Sequence, residues 1–396
     1  MPQLVLLPGK DRLLARRHPW IFAGSVDRLN GRARPGDTAE VVAANGRPLA
    51  KAAWSPQSSI RARVWSFDPE TVIDDAFFKR RVQAAVDRRH ALAELRSQQG
   101  LRLINGESDG LPGLLADRYD DTVVIQLTAA GSDKWRGAIV NALQRATGCA
   151  RIYERSDSDV RRLEGLEPVT GWRLGEASSS PLTIVEHGIR MQVDIVAGHK
   201  TGFYLDQREN RLLTRQLAAG RSTLNCFCYT GGFSLQALAG GASQVLSIDS
   251  SAPALATAVA NLALNPDLDA SRAEWRDADV FSELRTMHGA GRRFELIILD
   301  PPKFAPSAAH AEQAARAYRD INIFAFRLLA PGGLLMTYSC SGGIDRAVFQ
   351  QIVAESAVAA AREARIIRRL GAPADHPVAL NFPEGDYLKG LLCQVD

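Results

Sequence analysis

From about residue 190 onward, short apolar runs alternate with helix-length segments, and this alternation constrains the fold more than any other feature of the chain. Strands are expected at 222–226, 244–249, 273–275, 294–299, 333–338, 365–369 and 388–395, with helices between them, for example over 253–264 and 345–361. Parallel neighbours need a long crossover, and crossover helices cover the sheet faces, so the pattern predicts a mostly parallel α/β sheet. The last strand is expected to be reached by a turn rather than a helix. In open sheets of this kind ligands bind outside the carboxyl ends of the strands. The residues that follow each strand are therefore the candidate site.

After the first strand comes Asn225-Cys-Phe-Cys-Tyr229-Thr-Gly231-Gly232. Here Gly231 is expected to let a ligand approach the backbone at a helix N-terminus. The full GxGxxG pattern is absent, which argues against nicotinamide or flavin dinucleotides. The second strand ends at Asp249, whose carboxylate suits the two hydroxyls of a ribose; a helix cap is the alternative reading. Asp279, after the third strand, is placed to accept from an adenine amino group or to cap a helix. The fourth strand, Leu296-Ile-Ile-Leu299, runs into Asp300-Pro301-Pro302-Lys303-Phe304. Two prolines have no N–H and impose an extended path, leaving carbonyls and a carboxylate for a planar base with amino hydrogens. The fifth ends in Ser339-Cys340-Ser341-Gly342-Gly343, read as an exposed polar loop. A thiol at that rim can act as a nucleophile if its thiolate is stabilised.

The rest of the chain reads differently. Residues 1–65 carry eleven Lys and Arg, Arg16 and Arg17 among them, against four acidic residues, while the whole chain is only +4. A basic module on a near-neutral body points to a nucleic-acid contact. Its apolar runs are short and punctuated by Gly and Pro, with Asn45-Gly46 as a hairpin turn, so a small β-barrel is expected. Between about 72 and 188 the pattern is α+β: a helix from Asp74-Asp75 to Ala93, a polar Gly106–Gly113 loop, strands near 122–127 and 151–154, a helix over 133–146, and a hairpin turning at His187-Gly188. No apolar run approaches the roughly 18–20 residues of a membrane span. The first ten residues lack the features of a signal peptide, so a cytoplasmic protein with no membrane partner is expected. Its five cysteines should then be free thiols, and their spacing does not suit a metal.

The segments Asp300-Pro-Pro-Lys-Phe304 and Ser339-Cys-Ser-Gly342 resemble those of the ribosomal RNA large subunit methyltransferase I family, which methylates C5 of a cytosine in bacterial 23S rRNA. The resemblance extends along the chain through Arg17-His-Pro-Trp-Ile-Phe22, Gly106-Glu-Ser-Asp-Gly-Leu-Pro-Gly113, His199-Lys-Thr-Gly-Phe-Tyr-Leu-Asp-Gln-Arg208, Tyr229-Thr-Gly-Gly-Phe233 and Asp375-His-Pro-Val378. It implies a multidomain protein: a PUA-like RNA-binding β-barrel over 1–71, a central α+β domain over 72–188, and a Rossmann-like α/β methyltransferase domain over 189–396 with a seven-stranded, mostly parallel sheet. It implies S-adenosyl-L-methionine as cofactor. Gln207 and Arg208 would border its amino-acid end, with Tyr229 and Gly231 nearby. Asp249 would hold the ribose, Asp279 the adenine, and Asp300 both the cofactor and the target base. Cys340 would be the nucleophile that adds to C6 of the cytosine. Pro301, Pro302, Lys303, Arg16 and Arg17 are the candidate contacts to 23S rRNA. Cys228 stands where a serine is expected. Some RNA cytosine methyltransferases place a second Cys after the fourth strand; here that slot holds Pro301-Pro302. Methylation of an exocyclic amine or ring nitrogen and a non-catalytic role in ribosome assembly remain open on the residues, as does a homodimer.

Overall fold

A computed structural model of the chain describes residues 1–176, 181–304 and 311–396. The chain divides into two compact units. The first comprises Met1–Ile184, Val193–Leu205 and Ala374–Gly385; the second comprises Val185–Gln192, Asp206–Pro373 and Asp386–Asp396.

The first unit begins with β1 (Gln3–Leu6), the short helix α1 (Arg12–Ala15), β2 (Trp20–Phe22), β3 (Val26–Asn30), β4 (Thr38–Val42), β5 (Pro48–Trp54) and β6 (Ile60–Ser66). These strands form one six-stranded sheet in the order β2-β6-β5-β4-β1-β3, antiparallel except for β1 with β4. Its small core is Leu4, Leu6, Ile21, Val41 and Val64, with alanines between. The strand β3, Val-Asp-Arg-Leu-Asn, lies mostly exposed at the sheet's edge and has little apolar signal.

A second sheet follows α2 (Asp75–Ala91). It contains β7 (Gly100–Asn105), β8 (Leu114–Tyr119), β9 (Thr122–Leu127), β10 (Arg151–Ser156) and β11 (Val169–Leu174), in the order β11-β10-β9-β8-β7. Helices α3 (Ala130–Lys134) and α4 (Arg136–Thr147) precede β10, and α5 (Val160–Leu163) follows it. Asp74 caps α2 by accepting from the Phe77 amide at 2.8 Å. Phe77, Phe78 and Val82 of α2 share one core with Ala53 and Trp65 of the first sheet. The two sheets therefore stabilise each other through common apolar burial.

The Gly106–Gly113 segment is less of a surface loop than its polarity suggests. Asp109 is buried in it and accepts two hydrogen bonds from Arg89, both 2.7 Å, and one from the Asn105 amide at 2.7 Å. The Asp375-His-Pro-Val378 motif packs in the same place. Arg89 donates to the Asp375 carbonyl at 2.9 Å, the Arg102 amide to the Asp375 carboxylate at 2.9 Å, and Asn105 to the Pro377 carbonyl at 3.0 Å.

The hairpin β12 (Leu182–Glu186) and β13 (Ile189–Val193) turns at His187 and Gly188, both at positive φ. The second unit then runs α6 (Arg208–Leu217), β14 (Ser222–Cys226), α7 (Gly232–Ala239), β15 (Gln244–Asp249), α8 (Ala252–Ala263), β16 (Ala273–Asp277), α9 (Val280–Gly289), β17 (Phe294–Leu299), α10 (Ala311–Leu328), β18 (Leu329–Ser339), α11 (Arg346–Ala359), β19 (Ala364–Leu370) and β20 (Lys389–Val395). Its seven-stranded sheet has the order β16-β15-β14-β17-β18-β20-β19, parallel except for β20. The connection into β20 is not the simple turn expected. It is a long excursion whose middle, Ala374–Gly385, belongs to the first unit. Strand order reverses between β14 and β17, and in open sheets ligands bind outside the carboxyl ends of the strands at such a switch point.

Candidate active site

The loop after β14 is shaped by strain and by packing. Phe227 and Tyr229 are non-glycine residues in the left-handed region, at φ 60° and 49°. Each such residue costs on the order of 1 kcal/mol and persists only where its surroundings hold it. The Phe227 ring lies against Phe281 and Phe304, both at 6.4 Å between centroids. The Tyr229 amide donates to Asp249 Oδ2 at 2.8 Å. Gly231 follows at φ 82°, and a Cβ there would come within 2.8 Å of the Trp275 ring. Backbone conformation and packing alone therefore require glycine at this position.

At the end of β15, Asp249 does not cap a helix; Ser251 caps α8. The Asp249 carboxylate instead takes the Tyr229 amide on one oxygen and the Ser251 amide on the other, at 2.8 and 2.9 Å. Two backbone donors fix its orientation while each oxygen keeps a second lone pair. Asp279 is exposed and caps α9, accepting from the Ser282 amide at 2.9 Å.

Asp300 follows β17. Its Oδ1 accepts from Gln207 Nε2 at 2.8 Å, Gln207 Oε1 accepts from Asn210 at 2.6 Å, and Asn210 also donates to the Gly371 carbonyl at 3.0 Å. This chain of hydrogen bonds fixes which way the Gln207 amide faces and so holds Asp300 in place. Arg208 is fully buried, with Nε 3.3 Å from Glu209. Pro301 is buried, Pro302 and Lys303 are exposed, and the Phe304 ring packs tilted against Tyr318 of α10, with 4.9 Å between centroids.

Cys340 follows β18, the parallel neighbour of β17, and is partly exposed. Its flanking serines do not form the exposed polar loop expected: Ser339 and Ser341 are both fully buried. Ser341 shares a hydrogen bond with the Tyr318 hydroxyl at 2.9 Å, and its carbonyl accepts from Lys389 at 2.8 Å. The buried Tyr318 phenol lies within electrostatic reach of both Cys340 and Asp300, and burial raises it above the usual tyrosine range. Tyr318 and Lys389 carry no signal in the sequence, since each reaches the site from a distant element, whereas Asn210 lies only three residues from Gln207 and was overlooked. Cys226 and Cys228 are buried, and burial pushes both thiols up, Cys228 also through the Asp249 charge. Burial of this kind disfavours the thiolate, the reactive form. Arg16 and Arg17 belong to the first unit, are exposed, and make no ion pair among the described residues.

The sequence pattern of the S-adenosylmethionine-dependent methyltransferase family matches residues 153–393, and that of PUA-like domains residues 4–67. A ribosomal RNA large subunit methyltransferase I from Shewanella denitrificans is 48% identical over 395 residues, covering 99% of each chain. Its counterpart in Erwinia tasmaniensis is 49% identical over 393 residues, again covering 99% of each. The chain belongs to the ribosomal RNA large subunit methyltransferase I family. Its fold is shared by a candidate methyltransferase solved in complex with SAH, which is 22% identical with a TM-score of 0.87 over 100% of both chains.

The cofactor of this family member is S-adenosyl-L-methionine. Asp249, Asp279 and Asp300 follow three strands around the switch point. Three carboxylates suit a ligand with hydroxyls, an adenine amine, an ammonium and a sulfonium. Thr230 Oγ1, in the loop after β14, is buried without a hydrogen-bond partner. Such a group is rare in native structures and is a ready donor for a ligand oxygen. The residues present therefore fit the cofactor. No helix among the described residues is long and apolar enough to cross a membrane.

Proposed function

We propose that this enzyme methylates C5 of a cytosine in 23S ribosomal RNA, with Cys340 as the covalent nucleophile. The observation that carries the reading is the juxtaposition, at the ends of two adjacent parallel strands, of a partly exposed Cys340 and an Asp300 held by Gln207. An N-methylating enzyme needs the carboxylate but not the thiol.

In this reading Asp249 binds the ribose and Asp279 the adenine. Gln207, Arg208, Tyr229 and Gly231 border the cofactor. Cytosine C5 is a weak nucleophile. Addition of the Cys340 thiolate to C6 forms an S–C6 bond and shifts the C5–C6 π pair toward C5, which becomes enamine-like. S-adenosyl-L-methionine supplies the electrophilic methyl group. Asp300 holds the N3/N4 edge of the ring beside Pro301, Pro302 and Lys303. Loss of the C5 proton to a base, with breaking of the S–C6 bond, restores the aromatic ring and the thiolate. Residues 1–71 would grip RNA through Arg16 and Arg17, 72–188 would form the central domain, and 189–396 would perform the chemistry, in the cytoplasm.

Nucleoside mass spectrometry of 23S rRNA from a strain lacking the gene, with and without added enzyme, tests the product. 5-Methylcytidine is expected; an N-methylated nucleoside would sink the C5 assignment. Asp249→Ala should weaken S-adenosyl-L-methionine binding about 10- to 100-fold in calorimetry, as expected when hydrogen bonds to a charged acceptor are removed. Unchanged affinity would remove Asp249 from the cofactor site. Because the barrel shares its core with the second sheet, point substitutions test RNA binding better than truncation. Arg16→Ala with Arg17→Ala should flatten the dependence of log K on log salt by about 0.7–0.9 for each phosphate no longer neutralised. An identical slope would exclude these arginines from the RNA interface.

A further inference from the structure

Lys389 opens β20 and pairs in antiparallel register with Ser339, next to Cys340. It is 4% exposed. Its ammonium donates to the Ser341 carbonyl at 2.8 Å, so it lies against the turn that carries the thiol. Among the described residues its hydrogen-bond partner is that carbonyl rather than a carboxylate. The two acids in its electrostatic range are engaged elsewhere. Asp386 binds Arg346 through both oxygens at 2.6 Å, and Asp345 caps α11 by accepting from the Val348 amide at 2.8 Å. Arg346 itself repels the ammonium. A buried ammonium without a carboxylate is costly, and such charges persist where another anion answers them.

We propose that Lys389 is a positioning residue that acts through Cys340, its charge stabilising the thiolate and its hydrogen bond holding the turn. This rests on Cys340 being the nucleophile. Burial, with Arg346 beside it, lowers the Lys389 ammonium below the usual lysine range, and the Cys340 charge works in the opposite direction. By reciprocity the ammonium favours the thiolate. The Tyr318 phenol, which faces both Cys340 and Asp300, stays neutral because burial raises it. On ionisation the thiol proton leaves to solvent.

The test is the pH dependence of Cys340 alkylation by iodoacetamide, followed by peptide mass spectrometry on the full-length protein. The variants are Lys389→Arg, Lys389→Gln and Lys389→Met. The midpoint should rise by about one pH unit in the Gln and Met variants, roughly a tenfold slower alkylation near neutral pH, and Arg should restore it. An unchanged midpoint in both overturns the proposal. A wild-type midpoint in Gln with a shift only in Met reduces Lys389 to a hydrogen-bond donor and also overturns it. Should neither fold, the wild-type midpoint decides: below the ordinary thiol value supports the proposal, at or above it refutes it. The underlying reading fails separately, if Cys340→Ala retains methyl transfer whatever the alkylation profile.

Discussion

Replacing Cys340 with alanine is expected to lower methyl transfer on the order of 10⁴-fold or more while leaving S-adenosyl-L-methionine affinity unchanged in calorimetry. The size follows from the chemistry proposed. Without addition at C6, C5 of cytosine has too little electron density to take a methyl group, and removing a covalent nucleophile typically abolishes nearly all of the chemical acceleration. Unaltered affinity is expected because Cys340 follows β18 and is not among the proposed cofactor residues, which lie at the start of α6 and at the ends of β14, β15, β16 and β17. Folding should also survive, since the side chain is partly exposed and the turn is held by Tyr318 and Lys389 through Ser341. Wild-type turnover in this variant would rule out the covalent route.

Asp109→Asn should destabilise the first unit by about 3–5 kcal/mol, the usual cost of leaving a buried charge without its partner. The Arg89 guanidinium is buried and meets Asp109 through two 2.7 Å hydrogen bonds. Asparagine keeps the shape but removes the charge. Chemical denaturation followed through the tryptophans measures the effect; a change below about 1 kcal/mol, the level of a surface pair, would show the network to be dispensable. The pH dependence has a definite sign. Burial pushes the Asp109 carboxyl up, but Arg89, Asn105 and Arg88 more than reverse this and hold it below the usual range. Its contribution is therefore fully present above the ordinary aspartate range and is lost as pH falls through that range and below it. The asparagine variant should lack that part of the acid sensitivity.

Much of the site could be read from strand ends. Asp249, Asp300 and Cys340 all follow strands whose apolar runs are unmistakable, and local order alone puts them on one edge of a parallel sheet. Sequence and structure part company where the environment of a side chain matters. Ser339 and Ser341 look like surface residues but are buried, because Tyr318 and Lys389 supply partners there. Nothing local shows that a Cβ at Gly231 would come within 2.8 Å of Trp275, forty-four residues on. The strands β7, β8 and β11 escape a sequence reading for another reason. Their alternation is interrupted by charges that are satisfied only in the folded unit, such as Arg102 with Asp117 at 2.9 Å.

The sequence by itself determined the parallel sheet in the second half of the chain, the crevice at its carboxyl edge and the residues that follow each strand. These depend on periodicity and on proline and glycine geometry, which act over a few residues. Only the tertiary structure decided that β20 slots between β18 and β19 and so brings Lys389 beside Cys340, and that the Asp375-His-Pro-Val378 motif answers Arg89 and Arg102. Those pairings join residues tens to hundreds of positions apart. They are selected by burial and by the need to satisfy buried polar groups, and no local pattern encodes either.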